Sequence, residues 1–183
     1  MDTTIPLLVG NGSSVLDYQL GPVIDSFDTV CRFNEFEITG YEQHVGTKTD
    51  IWFRNTSNRL RWRDPDQFKQ VILQTTEYPG MGALLYLFNR FDSVSPETIA
   101  EIRKYVPNRG ANLSTGIQAI AHMIRQAGKV YVMGFDMFTP PSLYFEPRDK
   151  PAVHSSEERI YLDAMRAAGL AIDLHVAAEA ART

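Results

Sequence analysis

Short apolar runs punctuate this chain at intervals that leave room for a helix between most successive pairs: Ile5 to Val9, Thr29 to Phe33, Asp50 to Phe53, Gln70 to Leu73, Leu84 to Phe88, Val130 to Met133 and Leu170 to Val176. Most are short and largely apolar. Such runs suit strands covered on both faces, the condition of a parallel sheet beneath crossover helices. The expectation is an α/β fold: a single Rossmann-like nucleotide-binding domain with a mostly parallel central sheet flanked by helices. The length, 183 residues, corresponds to about one domain. No linker or repeat divides the chain, so residues 1–183 read as one unit.

The segments between the runs carry helix signals. Ser95 followed by Pro96 predicts a capped helix running to about Tyr105. Ile117, Ile120 and Ile124 recur at helical spacing between Gly116 and Ala127, and Gly128 supplies the stop. A last helix is predicted from about Ser156 to Ala168, ending at Gly169, after which LAIDLHV alternates like a final strand. Between Thr139 and Ala152 lie Pro140, Pro141, Pro147 and Pro151, which predict a loop. Loops of that length often carry function.

Composition excludes several classes. Eighteen basic against 22 acidic side chains give a net charge of -4, which argues against nucleic acid as a partner held by bulk charge. Locally, Arg54, Arg59, Arg61 and Arg63 crowd around Trp52 and Trp62, forming either an anion-facing surface or a solvated loop paired with Asp64 and Asp66. Cys31 is the only cysteine, so no intramolecular disulfide or Cys-rich zinc site is available, and its apolar surroundings predict a buried small hydrophobe. No apolar run is long enough for a membrane span, and MDTTIPLLVG lacks the basic start of a signal peptide. A cytoplasmic protein without a transmembrane segment is expected, with peripheral membrane contact left open.

Three stretches carry anion-binding chemistry. In VGNGSSV an apolar strand gives way to Gly10, Asn11 and Gly12, where small residues let backbone N–H groups approach a phosphate, although the GxGxxG spacing is absent. TVCRFN places Asn34 just beyond a second strand, where its amide can donate to a phosphate or read a base edge. LSTG places Ser114 and Thr115 before a helix starting near Gly116, which suits a carboxylate or phosphate but also reads as an ordinary N-cap. Asp64-Pro65-Asp66 looks like a metal-holding DxD, yet its proline and nearby arginines favour a plain turn, so no metal ligand is assigned. His44, His122 and His175 have no partner at ligand spacing and read as structural or surface residues.

Together these stretches resemble the eukaryotic-type sialyltransferase family. VGNGSSVLDYQLGPVIDSFDTVCRFNEFEITGYEQHVGTKTD is similar to that family's long sialyl motif, including IDSFD, Arg32 with Asn34, GYE and VGTKT. LSTGIQAIAHMIRQAGKVYVMGF resembles the short motif, LYFE at residues 143–146 the third, and His154 with Glu158 the very short one. The resemblance implies that Asn11 and Asn34 bind the donor, that Ser114, Thr115 and Gly116 form the loop holding the nucleotide-sugar, and that Gly134 with Phe135 contacts the nucleoside. It also implies that His154 is the catalytic base. Tyr144 and Phe145 either cover the nucleotide or anchor their loop. The implied reaction is inverting and metal-independent transfer of sialic acid or a related nonulosonic acid from a CMP-sugar to a glycan hydroxyl, with no cofactor. CMP-Kdo as donor and a non-catalytic CMP-binding module are the alternatives.

Four departures stand beside the resemblance. Leu143 occupies the place of the third motif's histidine, and Arg159 that of the very short motif's acidic residue, with Glu157 and Glu158 just before it. Glu158 also completes the capping pattern Ser155-x-x-Glu158, the reading preferred for it. The family's disulfide between the long and short motifs cannot form, because Cys31 is alone. Its membrane anchor and stem are not found in this compact chain, which implies a small bacterial or divergent member.

Overall fold

The computed structural model describes residues 1–55, 60–61, 63–74, 91–106, 113–136, 143–146 and 156–181, with only the backbone of 156 and 157. Seven strands, β1 (Leu7–Val9), β2 (Val30–Phe33), β3 (Ile51–Arg54), β4 (Gln70–Leu73), β5 (Asp92–Ser93), β6 (Val130–Met133) and β7 (Ala171–Asp173), form one sheet in the order β5-β4-β3-β2-β1-β6-β7. Every pairing is parallel. From β1 the chain builds outward to β5 on one side, then crosses back to place β6 and β7 on the other. Strand order therefore reverses at the β1–β6 pair, and the carboxyl ends there form the crevice in which doubly wound sheets bind ligands.

Register sorts the strand side chains into two layers. Leu8, Cys31, Ile51, Phe53 and Ile72 pack with Ile102 of α3 (Pro96–Tyr105), Ile117 and Ile120 of α4 (Thr115–Ala127), and Leu162 of α5 (Ser156–Ala167). On the other face Leu7, Val9, Val30 and Met133 pack with Ile24 of α1 (Gly21–Asp25), Val45 of α2 (Glu42–Val45), and Leu174 of α6 (Leu174–Ala180). The central strands are buried on both faces, which explains why their sequences are runs and not alternations.

The capped helices form as predicted. Ser95 Oγ accepts from the Thr98 N–H, Ser114 Oγ accepts from the Ile117 N–H, and Gly128 closes α4 at φ 82° with its N–H on Ile124 O. The chain end differs from expectation. The strand predicted over Leu170 to Val176 stops at Asp173, and its second half opens α6, so α5 is not the last helix. Alternation in LAIDLHV mimicked a strand, but Leu174 and Ala178, one helical turn apart, are both buried against the sheet. The predicted run Leu84 to Phe88 lies outside the described residues, as does most of the proline-rich loop. No described helix is long and apolar enough to cross a membrane.

Candidate functional site

The parallel sheet brings the three anion-suited stretches to one edge, because each follows the carboxyl end of a strand or opens a helix beside it. After β1, Gly10 and Gly12 run against the turn after β6: the Gly10 N–H donates to Met133 O at 2.7 Å and the Gly12 N–H to Gly134 O at 2.9 Å. A Cβ on Gly10 would stand 2.4 Å from Gly134 O, so only glycine permits this approach. Asp136 locks the same junction. Its carboxylate accepts from the Ser14 N–H at 2.9 Å, from the Ser13 hydroxyl at 3.4 Å and from the Ser14 hydroxyl. Sequence reading passed over Asp136, although an acidic residue three positions beyond a buried strand was the available signal.

Asn11 crosses from the β1 turn to the β2 turn, its Nδ2 donating to Phe33 O at 3.2 Å and Glu35 O at 2.7 Å. The Asn11 carbonyl accepts the Tyr144 N–H at 3.0 Å. Tyr144 is buried, packs edge-on against Tyr41 and Phe145, and exchanges hydrogen bonds between its hydroxyl and the Glu37 backbone. Burial pushes its phenol above the ordinary range. The ring thus anchors its loop to the β1 and β2 turns.

Asn34, the only non-glycine among the described residues at positive φ (46°), turns the chain sharply after β2. Its N–H donates to Phe53 O at 2.8 Å and its carbonyl accepts the Trp52 Nε1–H at 2.9 Å. Its side chain meets Thr115 at 3.2 Å and the Asn55 N–H at 2.8 Å. At the start of α4, Ser114 Oγ satisfies the Ile117 N–H and Glu158 Oε1 accepts the Ser114 N–H at 2.8 Å. Among the described residues the N–H groups of Thr115 and Gly116 have no acceptor, leaving two donors at the positive end of the helix dipole. Gly116 lies against Phe135, whose ring would be 3.1 Å from an added Cβ and which meets Phe33 edge-on.

Asn11, Asn34, Ser114, Thr115, Gly116, Gly134, Phe135 and Tyr144 are therefore joined around one sheet edge. Leu143 lies beside Tyr144, while His154 and Ser155 lie outside the described residues. The buried Glu158 carboxylate reaches across to α4, a contact its preferred reading as a cap of its own helix did not foresee.

Other motif residues hold the platform. The Arg32 guanidinium is buried and donates to Val45 O at 2.5 Å and Thr49 Oγ1 at 2.9 Å, and desolvation lowers its pKa to about 10. Asp25 accepts from the Thr47 and Lys48 N–H groups, and Asp50 accepts the Val30 N–H at 2.8 Å while pairing with Lys69 at 2.8 Å. In the arginine cluster, Arg61 pairs with Glu37 at 3.5 Å, Arg63 lies 3.9 Å over Phe36, and the buried Arg54 covers Trp52 at 5.0 Å. Arg61 and Arg63 thereby brace the Glu35–Glu37 segment. Arg59 and Trp62 lie outside the described residues. Asp64 accepts the Asp66 N–H at 3.0 Å in a 3-10 turn, and no group of three metal-binding side chains occurs among the described residues. Cys31 is fully buried, which pushes its thiol up.

The family model for glycosyltransferase family 29 (sialyltransferase) matches residues 7–79. A mouse lactosylceramide alpha-2,3-sialyltransferase is 42% identical over 83 residues, which make up 43% of this chain and 20% of that protein. The chain thus spans about a fifth of that relative's length. Among solved structures, a mammalian sialyltransferase superposes over 93% of this chain and 69% of its own, with a TM-score of 0.66 and 19% identity. A Campylobacter jejuni sialyltransferase, in complex with the substrate analogue cytidine-5'-monophosphate, does so over 95% and 81% respectively, with a TM-score of 0.58 and 13% identity.

Proposed function

We propose that this chain is a member of glycosyltransferase family 29, the sialyltransferases, whose family model matches residues 7–79, and that it transfers sialic acid or a related nonulosonic acid from a CMP-sugar to a glycan hydroxyl, with inversion and without a metal. The observation that carries this reading is the convergence at one sheet edge of the Asn34 amide with the N–H groups of Thr115 and Gly116, which have no acceptor among the described residues. These are neutral, preorganised donors. They suit the single phosphate of a CMP leaving group, which carries less charge than a diphosphate and can be stabilised by N–H groups and a helix dipole. Gly134 and Phe135 flank the same edge for the nucleoside. Asn11 and Tyr144 hold the turns that shape it.

In this reading His154 takes the proton from the acceptor hydroxyl as that oxygen attacks the anomeric carbon, while the C–O bond to the phosphate breaks and CMP departs. Neutral imidazole suits a base near pH 7. Leu143, in the place of the family's leaving-group histidine, favours one rival: a module that binds CMP without turnover.

CMP release from CMP-sialic acid and from CMP-Kdo, with and without a galactoside acceptor, tests the proposal alongside thermal unfolding in CMP. At a CMP concentration about 100 times the dissociation constant, stabilisation of about 2.7 kcal/mol is expected. Release should depend on acceptor, survive EDTA, and fall by about 10²-fold or more in His154→Ala with CMP affinity little changed. A CMP-dependent shift without turnover selects the binding module. No shift at millimolar CMP overturns the reading altogether.

A further inference from the structure

We propose that Gln74, at the carboxyl end of β4, is a positioning residue: by taking the Thr115 hydroxyl proton it keeps that oxygen an acceptor for the Asn34 amide, whose other N–H is left for the donor. The ligand is the one assigned above, and the claim rests on that reading for its function. The network itself is decided by two backbone groups that have only one possible role each. Leu113 O can only accept, so the Gln74 atom 3.1 Å from it is Nε2. Gln74 Oε1 is then the atom facing Thr115, and the Thr115 hydroxyl must donate to it. Independently, the Asn55 N–H can only donate, so the Asn34 atom 2.8 Å away is Oδ1, which leaves Nδ2 beside Thr115 Oγ1 at 3.2 Å.

These constraints give one direction to the whole chain: Asn34 Nδ2–H donates to Thr115 Oγ1, whose proton goes to Gln74 Oε1. Chains of this kind polarise each link in the same sense. The second Nδ2 hydrogen of Asn34 has no acceptor among the described residues, and the amide that carries it touches Thr115, the first residue of α4. Without Gln74 the direction is lost, because the Thr115 hydroxyl can instead turn its proton to Asn34 Oδ1, 3.3 Å away. Gln118, which also donates to Leu113 O at 3.2 Å, shares the carbonyl but takes no part in the Thr115 link. A polar residue directly after a buried strand was the sequence signal, and sequence reading assigned Gln74 no role.

The test uses near-isosteric changes: Gln74→Met, Thr115→Val, and Gln118→Met as a packing control. The readouts are the side-chain amide resonances of Asn34, assigned by their loss in Asn34→Asp, and the affinity for CMP. Gln74→Met and Thr115→Val should move the Asn34 amide resonances in the same way and weaken CMP by about tenfold, the order of one hydrogen bond to a charged group. Gln118→Met should leave the Asn34 resonances in place. An Asn34 amide unmoved in Gln74→Met overturns the proposal, and if that variant does not fold, an amide unmoved in Thr115→Val does so. The amide readout needs no ligand, so a parent protein that fails to bind CMP defeats the donor reading without deciding the role of Gln74.

Discussion

Gly10 shows how much of the site depends on single atoms. Its Cα passes so close to the β6 turn that an added methyl group meets Gly134 O at 2.4 Å and Gly134 C at 2.9 Å, both backbone atoms that cannot rotate away. Gly10→Ala should push the β1 and β6 turns apart, at a cost of about 1–3 kcal/mol, and carry Asn11 with it. CMP affinity measured by calorimetry should fall in step with stability. Gly169→Ala is the matched control, since Gly169 also has a special backbone (φ 69°) but nothing within 4 Å of its Cβ position. It should lower stability through backbone strain alone and leave CMP affinity unchanged. The Gly-Asn-Gly turn was legible as a phosphate-suited stretch, whereas its partner across the crevice was not, because Gly134 lies 124 positions further along the chain than Gly10.

At the scale of the element, α4 does two jobs with opposite ends. Its first turn offers donors to the site, and its body presses Ile117 and Ile120 onto the sheet with His122 against Phe53 at 5.8 Å between ring centres. His122 Nε2 lies 2.8 Å from the Gln126 amide nitrogen, so the neutral ring accepts there. Burial lowers its pKa below the ordinary 6.5, with Asp92 opposing weakly. A histidine with a depressed folded pKa contributes stability that is complete above the unfolded value and is lost as pH falls through it. Tm should therefore drop between about pH 7 and about pH 5, and His122→Leu should show a shallower drop over the same window. An identical slope in parent and variant would refute the assignment. The helix itself was readable from its caps and isoleucine spacing. That Glu158 of α5 accepts the Ser114 N–H at its start was not, because the two residues lie 44 positions apart.

For the molecule as a whole, the order β5-β4-β3-β2-β1-β6-β7 places β1 inside the hydrogen-bonded sheet, next to its middle strand β2, and leaves β5 and β7 as the edges among the described strands. β1 pairs on both sides and its three residues are almost fully buried, while β5 is an exposed pair of residues joined only to β4. Opening free energies should follow that order. Amide exchange followed by mass spectrometry should be slowest in β1, β2 and β6 and fastest at β5. CMP should add protection at the turns after β1, β2 and β6 and at the start of α4. Protection appearing elsewhere would move the donor site.

What the sequence determined by itself was local: the strand runs, the caps of α3 and α4, the glycine stop of α4, and the small and amide residues that suit a phosphate. Each depends on neighbours within a turn or a strand, where hydrophobic periodicity and capping chemistry are strong. The family resemblance extended this to the set of residues around one crevice. Tertiary structure alone decided the rest. It made Asp136 the lock of the β1 and β6 turns and turned the arginine cluster toward Glu37 and Phe36. It joined Gln74 to Thr115 and Asn34, and ended β7 early so that Leu174 could open a helix. The physical reason is common to all four. A buried polar atom or apolar face is satisfied by whatever the fold brings near it, and in a parallel sheet with crossover helices that partner is seldom a neighbour in sequence.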